Sequence, residues 1–257
     1  MIKDFLNNLT KEPNEISLLK ARLSIIDWIG YALAGTKTNQ AEPFDNLQNI
    51  LPKGKALNLF GKKKINLFDS AFINASVGNI LELDDVHRTS IIHPGDTVIP
   101  AAIAAASFKK VDPYNFLKAI ISGYEAAIRM GICLGKEHYQ YFYSSATCGV
   151  FGASTAASLI LNHDTNQCNI NKLLNSSLQL STMTSSGVWQ CREGQGEAKQ
   201  YALANAAKSG LTAAFLAQNG ALAPNNMIEG ELGFLKAFTN KINYKDLIKK
   251  NKDYYIN

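Results

Sequence analysis

A chain of 257 residues with a net charge of +5 is long enough for one large domain or two small ones. Its 46% apolar content excludes a disordered or fibrous chain. Its 18% of charged residues, against roughly 25% in an average soluble domain, implies a large core or a surface that a partner covers.

The N-terminus has no secretory layout, since Asp4, Asn7 and Asn8 interrupt any apolar run. Residues 14–34 place Ile16, Leu19, Leu23, Ile26, Gly30 and Leu33 at spacings of three and four. That is the period of a buried helical stripe, opened by Pro13 and Asn14 and closed by Gly35. Residues 56–60 read as one isolated strand. Helices follow over 68–83, 97–109 and 112–135, the last with Asp112 as cap and Pro113 in its first turn. Within it Glu125 and Arg129 sit at i,i+4, a pair worth a few tenths of a kcal/mol on a surface helix. Further helices fit 147–161, 170–186 and 199–219, and alanine-rich stretches there and at 100–106 predict close helix crossings. The fold class is therefore all-α, a large helical bundle. There is no βαβ alternation, no glycine-rich dinucleotide loop and no fixed-period repeat.

Several function classes drop out. The stretches 139–162 and 173–191 carry no Asp, Glu, Lys or Arg, but their Ser, Thr, Asn and Gln content suits the centre of a bundle better than a bilayer. The basic runs 62–64 and 249–250 lack interleaved aromatics and read as a solvated turn and a solvated tail, not a nucleic-acid surface. Cys133, Cys148, Cys168 and Cys191 form no C-x-x-C pair, so they are expected to be buried thiols in a reducing cytoplasm, with no zinc site.

The densest polar cluster runs from Glu82 to Asp96. It holds His87, Arg88, His93 and several carboxylates between two helices, where a scaffold commonly presents chemistry. Histidine beside carboxylates suits general acid–base work, and Arg88 suits an anionic substrate. The plain alternative is an interhelical loop in which Asp96 caps the next helix and Asp84 or Asp85 pairs with Arg88. A second candidate is the stretch 190–199, ending in Lys199 at a helix start, where the dipole disfavours an ammonium unless it faces an anion; the plain alternative is a connecting loop with a solvated lysine. A third is the aromatic run 138–143 followed by Ser144 and Ser145, whose plain alternative is packing.

These stretches together resemble the MmgE/PrpD family. Leu81-Glu82-Leu83-Asp84-Asp85-Val86-His87-Arg88, then His93-Pro94-Gly95 and Val98-Ile99-Pro100-Ala101, is similar to its L-D-F-D-D-x-H-R, H-P-G and V-x-P-A. Gly123-Tyr124-Glu125, Gly149 to Ala153, Glu193-Gly194 through Lys199, and Glu229-Gly230 with Gly233-Phe234-Leu235 resemble further segments in the same order. The resemblance implies a helical domain over 1–240, with 241–257 a basic tail where an α+β lid would begin. It implies a cofactor-independent and metal-independent lyase of the 2-methylcitrate dehydratase type on small di- or tricarboxylates, with cis-aconitate-type decarboxylation or iminodisuccinate-type epimerisation as alternatives. A homodimer, and a lid from a separate chain, are the expected partners; no nucleic acid or membrane is. A catalytically degenerate carboxylate-binding or dimerising remnant is the competing expectation. The expected catalytic residues are His93, Glu82, Asp85 and Tyr143, and the expected substrate-binding residues are Lys199, Arg88, His87 and Ser145. Two departures stand out: Tyr143 and Ala202 each replace a histidine common in the family.

Overall fold

The computed structural model describes residues 1–257. Eleven α-helices make up the chain: α1 (Ile2–Leu9), α2 (Glu15–Gly35), α3 (Glu42–Ile50), α4 (Leu67–Gly78), α5 (Gly95–Phe108), α6 (Pro113–Tyr141), α7 (Ser144–Leu161), α8 (Gln167–Ser181), α9 (Ala198–Gln218), α10 (Phe234–Phe238) and α11 (Tyr244–Ile248). The all-α bundle expected from periodicity is what forms. The one strand, β1 (Lys53–Ala56), lies just ahead of its expected place and bridges only to Ile65. The short helices α1, α3, α10 and α11 escape a periodicity reading because they span too few turns to show a stripe.

Local chemistry sets the long helices. Asn14, Asn66, Asp112 and Asn166 each accept a backbone N–H of the first turn they precede, which satisfies an otherwise orphaned donor. At the centre stands α7, packed by α5, α6, α8 and α9. It is long and apolar enough to cross a membrane, but 94% of it is buried inside the bundle. Small residues make this possible. A Cβ on Gly123 of α6 would stand 2.8 Å from the Gly152 carbonyl oxygen of α7, and one on Gly210 of α9 would stand 2.5 Å from that of Val150. The bundle thus closes by backbone approach, as the alanine-rich stretches predict.

Four expectations change. First, Ile16, Leu19, Leu23, Ile26 and Leu33 of α2 are 43–67% exposed; the helix turns Ala21, Trp28, Tyr31 and Ala32 inward instead. Second, Glu125 and Arg129 are not a surface pair. Both side chains are fully buried, 2.7 Å apart. Third, the C-terminal segment is not a solvated tail, although Lys249 and Lys250 are exposed. Arg129 donates to the carbonyls of Asp246 and Leu247 at 3.1 Å, and the Tyr255 N–H donates to Glu125 at 2.8 Å. The Tyr254 hydroxyl also donates to the Lys11 carbonyl at 2.5 Å. Fourth, Cys133 and Cys148 are buried, with burial pushing each thiol up to about 12, but Cys168 is exposed and Cys191 half-buried.

Candidate active site

The loop between α4 and α5 carries the polar cluster. Helix α4 stops at Gly78, five residues before its expected end, and Asn79 follows. Glu82 and Ile91 adopt left-handed backbone at φ of 52° and 53°. This conformation is uncommon for side chains of their size. A bridge between His87 and Ile92 then folds the loop back on itself, and His87 Nδ1 lies 2.8 Å from Ser90 Oγ. The fold-back sends neighbouring side chains to different places.

His93 Nδ1 approaches Asp84 Oδ2 to 2.7 Å. The Asp84 side chain is fully buried and that of His93 is 23% exposed. The same Asp84 oxygen accepts the Asn79 amide at 2.8 Å. The His93 backbone N–H donates to Ser145 Oγ at 3.1 Å, so Ser145, at the start of α7, anchors the histidine's main chain. Burial alone would lower the His93 pKa, but the Asp84 carboxylate, helped by Asp85 and Glu82, raises it above its ordinary value. Burial likewise works against the Asp84 charge, yet hydrogen bonds from His93, Asp96 and Asn79 hold its carboxyl below the usual range. Asp96 is the opposite case. It is fully buried in the first turn of α5, and burial together with the Asp84 charge raises its carboxyl well above the usual range. Its Oδ1 accepts the Tyr31 hydroxyl at 3.3 Å. The two neighbouring carboxyls are thus pushed in opposite directions, Asp84 towards the charged form facing His93 and Asp96 towards the protonated one.

Asp85 points elsewhere. Its oxygens accept the Gly95 N–H at 3.2 Å and the Tyr124 hydroxyl at 2.8 Å. Burial raises its carboxyl to about 6 despite those bonds. Asp85 and His87 line a cleft of about 650 Å³ together with Lys20, Asp27 and the C-terminal Tyr255, and neither His93, Lys199 nor Tyr143 borders it. The His87 ring meets Tyr255 edge-on at 5.4 Å. Arg88 is exposed and makes no ion pair with Asp84 or Asp85, and Asp96 buries its side chain instead of capping α5.

The other half of the site comes from the turns flanking α7 and α9. Tyr143 stacks face to face on Trp189, with ring centroids 4.9 Å apart and planes 2° off parallel. Its hydroxyl is buried without a hydrogen-bond partner in the chain. Lys199 Nζ sits 5.8 Å from the Tyr143 ring centroid and is ion-paired with Glu82. Arg192 lies 5.9 Å from the Trp189 ring centroid, so the two stacked rings carry a cation each. Gly194 and Gly196, at φ of 99° and 119°, supply the turns that bring Lys199 round to Glu82. The remainder of the aromatic run is packing: His138 lies between Phe142 and Phe238, and burial lowers its pKa to about 4.

His93 contacts Ser145, and Lys199 contacts both Tyr143 and Glu82; the start of α7, which carries Tyr143 and Ser145, sets the two groups side by side, while Asp85 and His87 belong to the cleft beside α2. Sequence reading missed Asp84, Asp96 and Arg192 as site groups. A signal for the first was present: in non-helical backbone, adjacent Asp84 and Asp85 tend to point apart, so the two cannot be expected to serve the same histidine. No set of three or more His, Cys, Asp or Glu side chains converges as metal ligands.

Comparison with known proteins agrees with this architecture. Residues 2–246 match the MmgE/PrpD N-terminal domain. A cis-aconitate decarboxylase-like protein of Aspergillus oryzae is 25% identical over 246 residues, covering 89% of this chain and 49% of the fungal protein. Human cis-aconitate decarboxylase is 24% identical over 230 residues, covering 86% of this chain and 46% of its own. The chain thus spans about half the length of these curated relatives. With an all-helical fold, the matched segments in order and the match running over nearly its whole length, the chain belongs to the MmgE/PrpD family.

Proposed function

We propose that the array around His93 is the helical half of a small-polycarboxylate lyase site, and that its reaction is decarboxylation. The observation that carries the reading is the buried Asp84 carboxylate against His93 Nδ1. It favours imidazolium and turns the ring so that Nε2, which has no partner in the chain, can give up a proton. Loss of carbon dioxide leaves an electron pair on carbon. That carbon takes the Nε2 proton, a neutral imidazole remains, and the charges balance. Dehydration would instead require a resting base at the substrate carbon and a separate acid at the leaving hydroxyl.

The cations account for the substrate class. Lys199 and Arg192 flank the Tyr143–Trp189 stack and can each hold a carboxylate, and Glu82 occupies Lys199 until a substrate carboxylate displaces it. Glu82 is 55% exposed, so its displacement is sterically open. Glu82 and, in part, Lys199 and His93 reach solvent, and catalysis requires water to be excluded. The half of the relatives' length that this chain does not match is the source of that cover in our reading. The decarboxylase names of the two relatives support the same choice.

The test is carbon dioxide release from cis-aconitate, measured with and without the matching C-terminal half added in trans. Release is expected, with His93→Gln lowering the rate on the order of 10²–10⁴-fold and Lys199→Met raising KM. A His93→Gln variant as active as the parent would overturn the assignment. Turnover of 2-methylcitrate without carbon dioxide release would move it to dehydration.

A further inference from the structure

The turn that carries His93 is held by side chains on both of its sides. Residues 93–95 have two backbone N–H donors, because Pro94 has none. The His93 N–H donates to Ser145 Oγ at 3.1 Å, and the Gly95 N–H donates to Asp85 Oδ1 at 3.2 Å. Gly95 opens α5, so Asp85 also supplies the anion that a helix N-terminus favours and that Asp96, turned inward to Tyr31, does not. The other Asp85 oxygen accepts the Tyr124 hydroxyl at 2.8 Å, which ties the carboxylate to α6. The fit is close. A Cβ on Gly95 would stand 2.9 Å from Asp85 Oδ1, 2.9 Å from the Tyr124 hydroxyl and 3.3 Å from that of Tyr31. No ion pair joins Asp85 to His93, whose ring is paired with Asp84.

We propose that Asp85 is a positioning residue for the chemistry at His93: through the Gly95 N–H it fixes the backbone of the turn, and with it the angle at which the imidazole meets Asp84. It acts from the cleft side of the loop. Asp85 lines the cleft beside α2, across from Lys20 and Asp27, and His93 does not border that cleft. Protons therefore reach Asp85 through the cleft and not through the array. As a carboxylate Asp85 holds both donors; protonated, it is a weaker acceptor and the turn loosens. Burial, with the Asp84 charge, raises its pKa to about 6, against the Tyr124 and Gly95 hydrogen bonds and the His93 charge. Asp96 faces it from α5. The hold is thus complete at neutral pH and fades as pH falls through about 6. His93 has the opposite sign, since its proton is lost as pH rises.

The inference rests on His93 being the working group, so its first readout needs no turnover. Imidazole resonances of His93 in the full chain, followed across a pH titration, report how the ring sits on Asp84. Asp85→Ala and Asp85→Asn remove the same charge, but only the asparagine keeps an oxygen for the Gly95 N–H. The His93 pKa should fall in both, since burial lowers it and Asp85 is among the charges that oppose burial. It should fall further in Asp85→Ala, where the ring also loses its setting on Asp84. Equal values in the two variants would overturn the proposal and leave Asp85 a charge alone. The second readout is kcat for carbon dioxide release from cis-aconitate with the matching C-terminal half present. Asp85→Ala should lower kcat about 10–100-fold with KM within about twofold, as a misplaced group does, and Asp85→Asn should recover most of that loss. The parent's kcat should fall on the acid side with a midpoint of about 6. Persistence of that limb in Asp85→Asn would overturn the assignment equally. Should Asp85→Ala fail to fold, Tyr124→Phe removes only the hydroxyl that holds Asp85, and the limb must move to higher pH as the carboxylate loses a donor; an unmoved limb counts against the proposal. A parent without turnover would strike the decarboxylase reading and leave the resonance comparison to decide this one.

Discussion

Replacing Arg129 by methionine tests whether a buried ion pair, and not the helical sequence alone, holds the C-terminal segment on the bundle. Arg129 and Glu125 are both fully buried, 2.7 Å apart, so solvent screens neither. Arg129→Met keeps most of the stem's volume but leaves the Glu125 charge without its cation. Removing one partner of such a pair costs about 3–5 kcal/mol. The carbonyls of Asp246 and Leu247 also lose a charged donor at 3.1 Å. For a domain of this size each kcal/mol moves the melting temperature by roughly 2–4 °C. A fall of about 6–20 °C follows, read by calorimetry or urea titration. Limited proteolysis should cut within 249–257 in the variant and not in the parent.

The pH dependence has a definite sign. Burial already holds Glu125 above its ordinary pKa, with Arg129 and the Tyr255 N–H pulling it back. Without Arg129 it rises further. A carboxyl raised in the folded state keeps its proton there while the unfolded chain ionises, so folding loses stability as pH climbs past the unfolded value of about 4.3. The deficit of Arg129→Met should therefore be small near pH 4 and grow towards neutrality. Glu125→Leu combined with Arg129→Met should cost less than Arg129→Met alone, because no orphaned charge remains. A loss below about 1 kcal/mol at pH 7, where such a variant should lose several, or a deficit independent of pH, would refute the role assigned to this pair.

Asp84→Asn should lower the His93 pKa, since burial then acts on the ring without the opposing carboxylate; imidazole proton resonances across a pH titration report it. The stability that the pair contributes lies between the unfolded values, about pH 4 to 6.5. It fades above as His93 deprotonates and below as Asp84 takes up a proton, so urea midpoints of parent and variant should differ most inside that window. Gly78→Ala, which gains about 1 kcal/mol in an ordinary helix interior, should instead destabilise by about 1–3 kcal/mol. Its Cβ would stand 2.2 Å from Asp96 Oδ1 and 3.1 Å from Trp28 Nε1; an unchanged urea midpoint would contradict that crowding.

Much of the architecture was legible in the residues because helices announce themselves locally. Asp112-Pro113 marks the start of α6, uncharged small residues mark α7 as the centre, and the ordered segments from Leu81 to Phe234 carry the family. The three-and-four spacing of α2 likewise established a helix with a face to be covered. Periodicity cannot say what does the covering, and only the packing of Trp28 and Tyr31 against the bundle showed that the Ile16–Leu33 stripe faces out. The loop is the second case. Its composition singled out Glu82 to His93 as the place for chemistry, but three carboxylates within four positions offer His93 three possible partners. The left-handed turns at Glu82 and Ile91 and the bridge between His87 and Ile92 decided among them, turning Asp84 to His93, Asp85 to Tyr124 and Glu82 to Lys199. The physical reason is range. Helix propensity and capping act over a few residues and can be read along the chain. A carboxylate's partner and a stripe's cover are decided by contacts between segments distant in sequence, and those exist only once the bundle has closed.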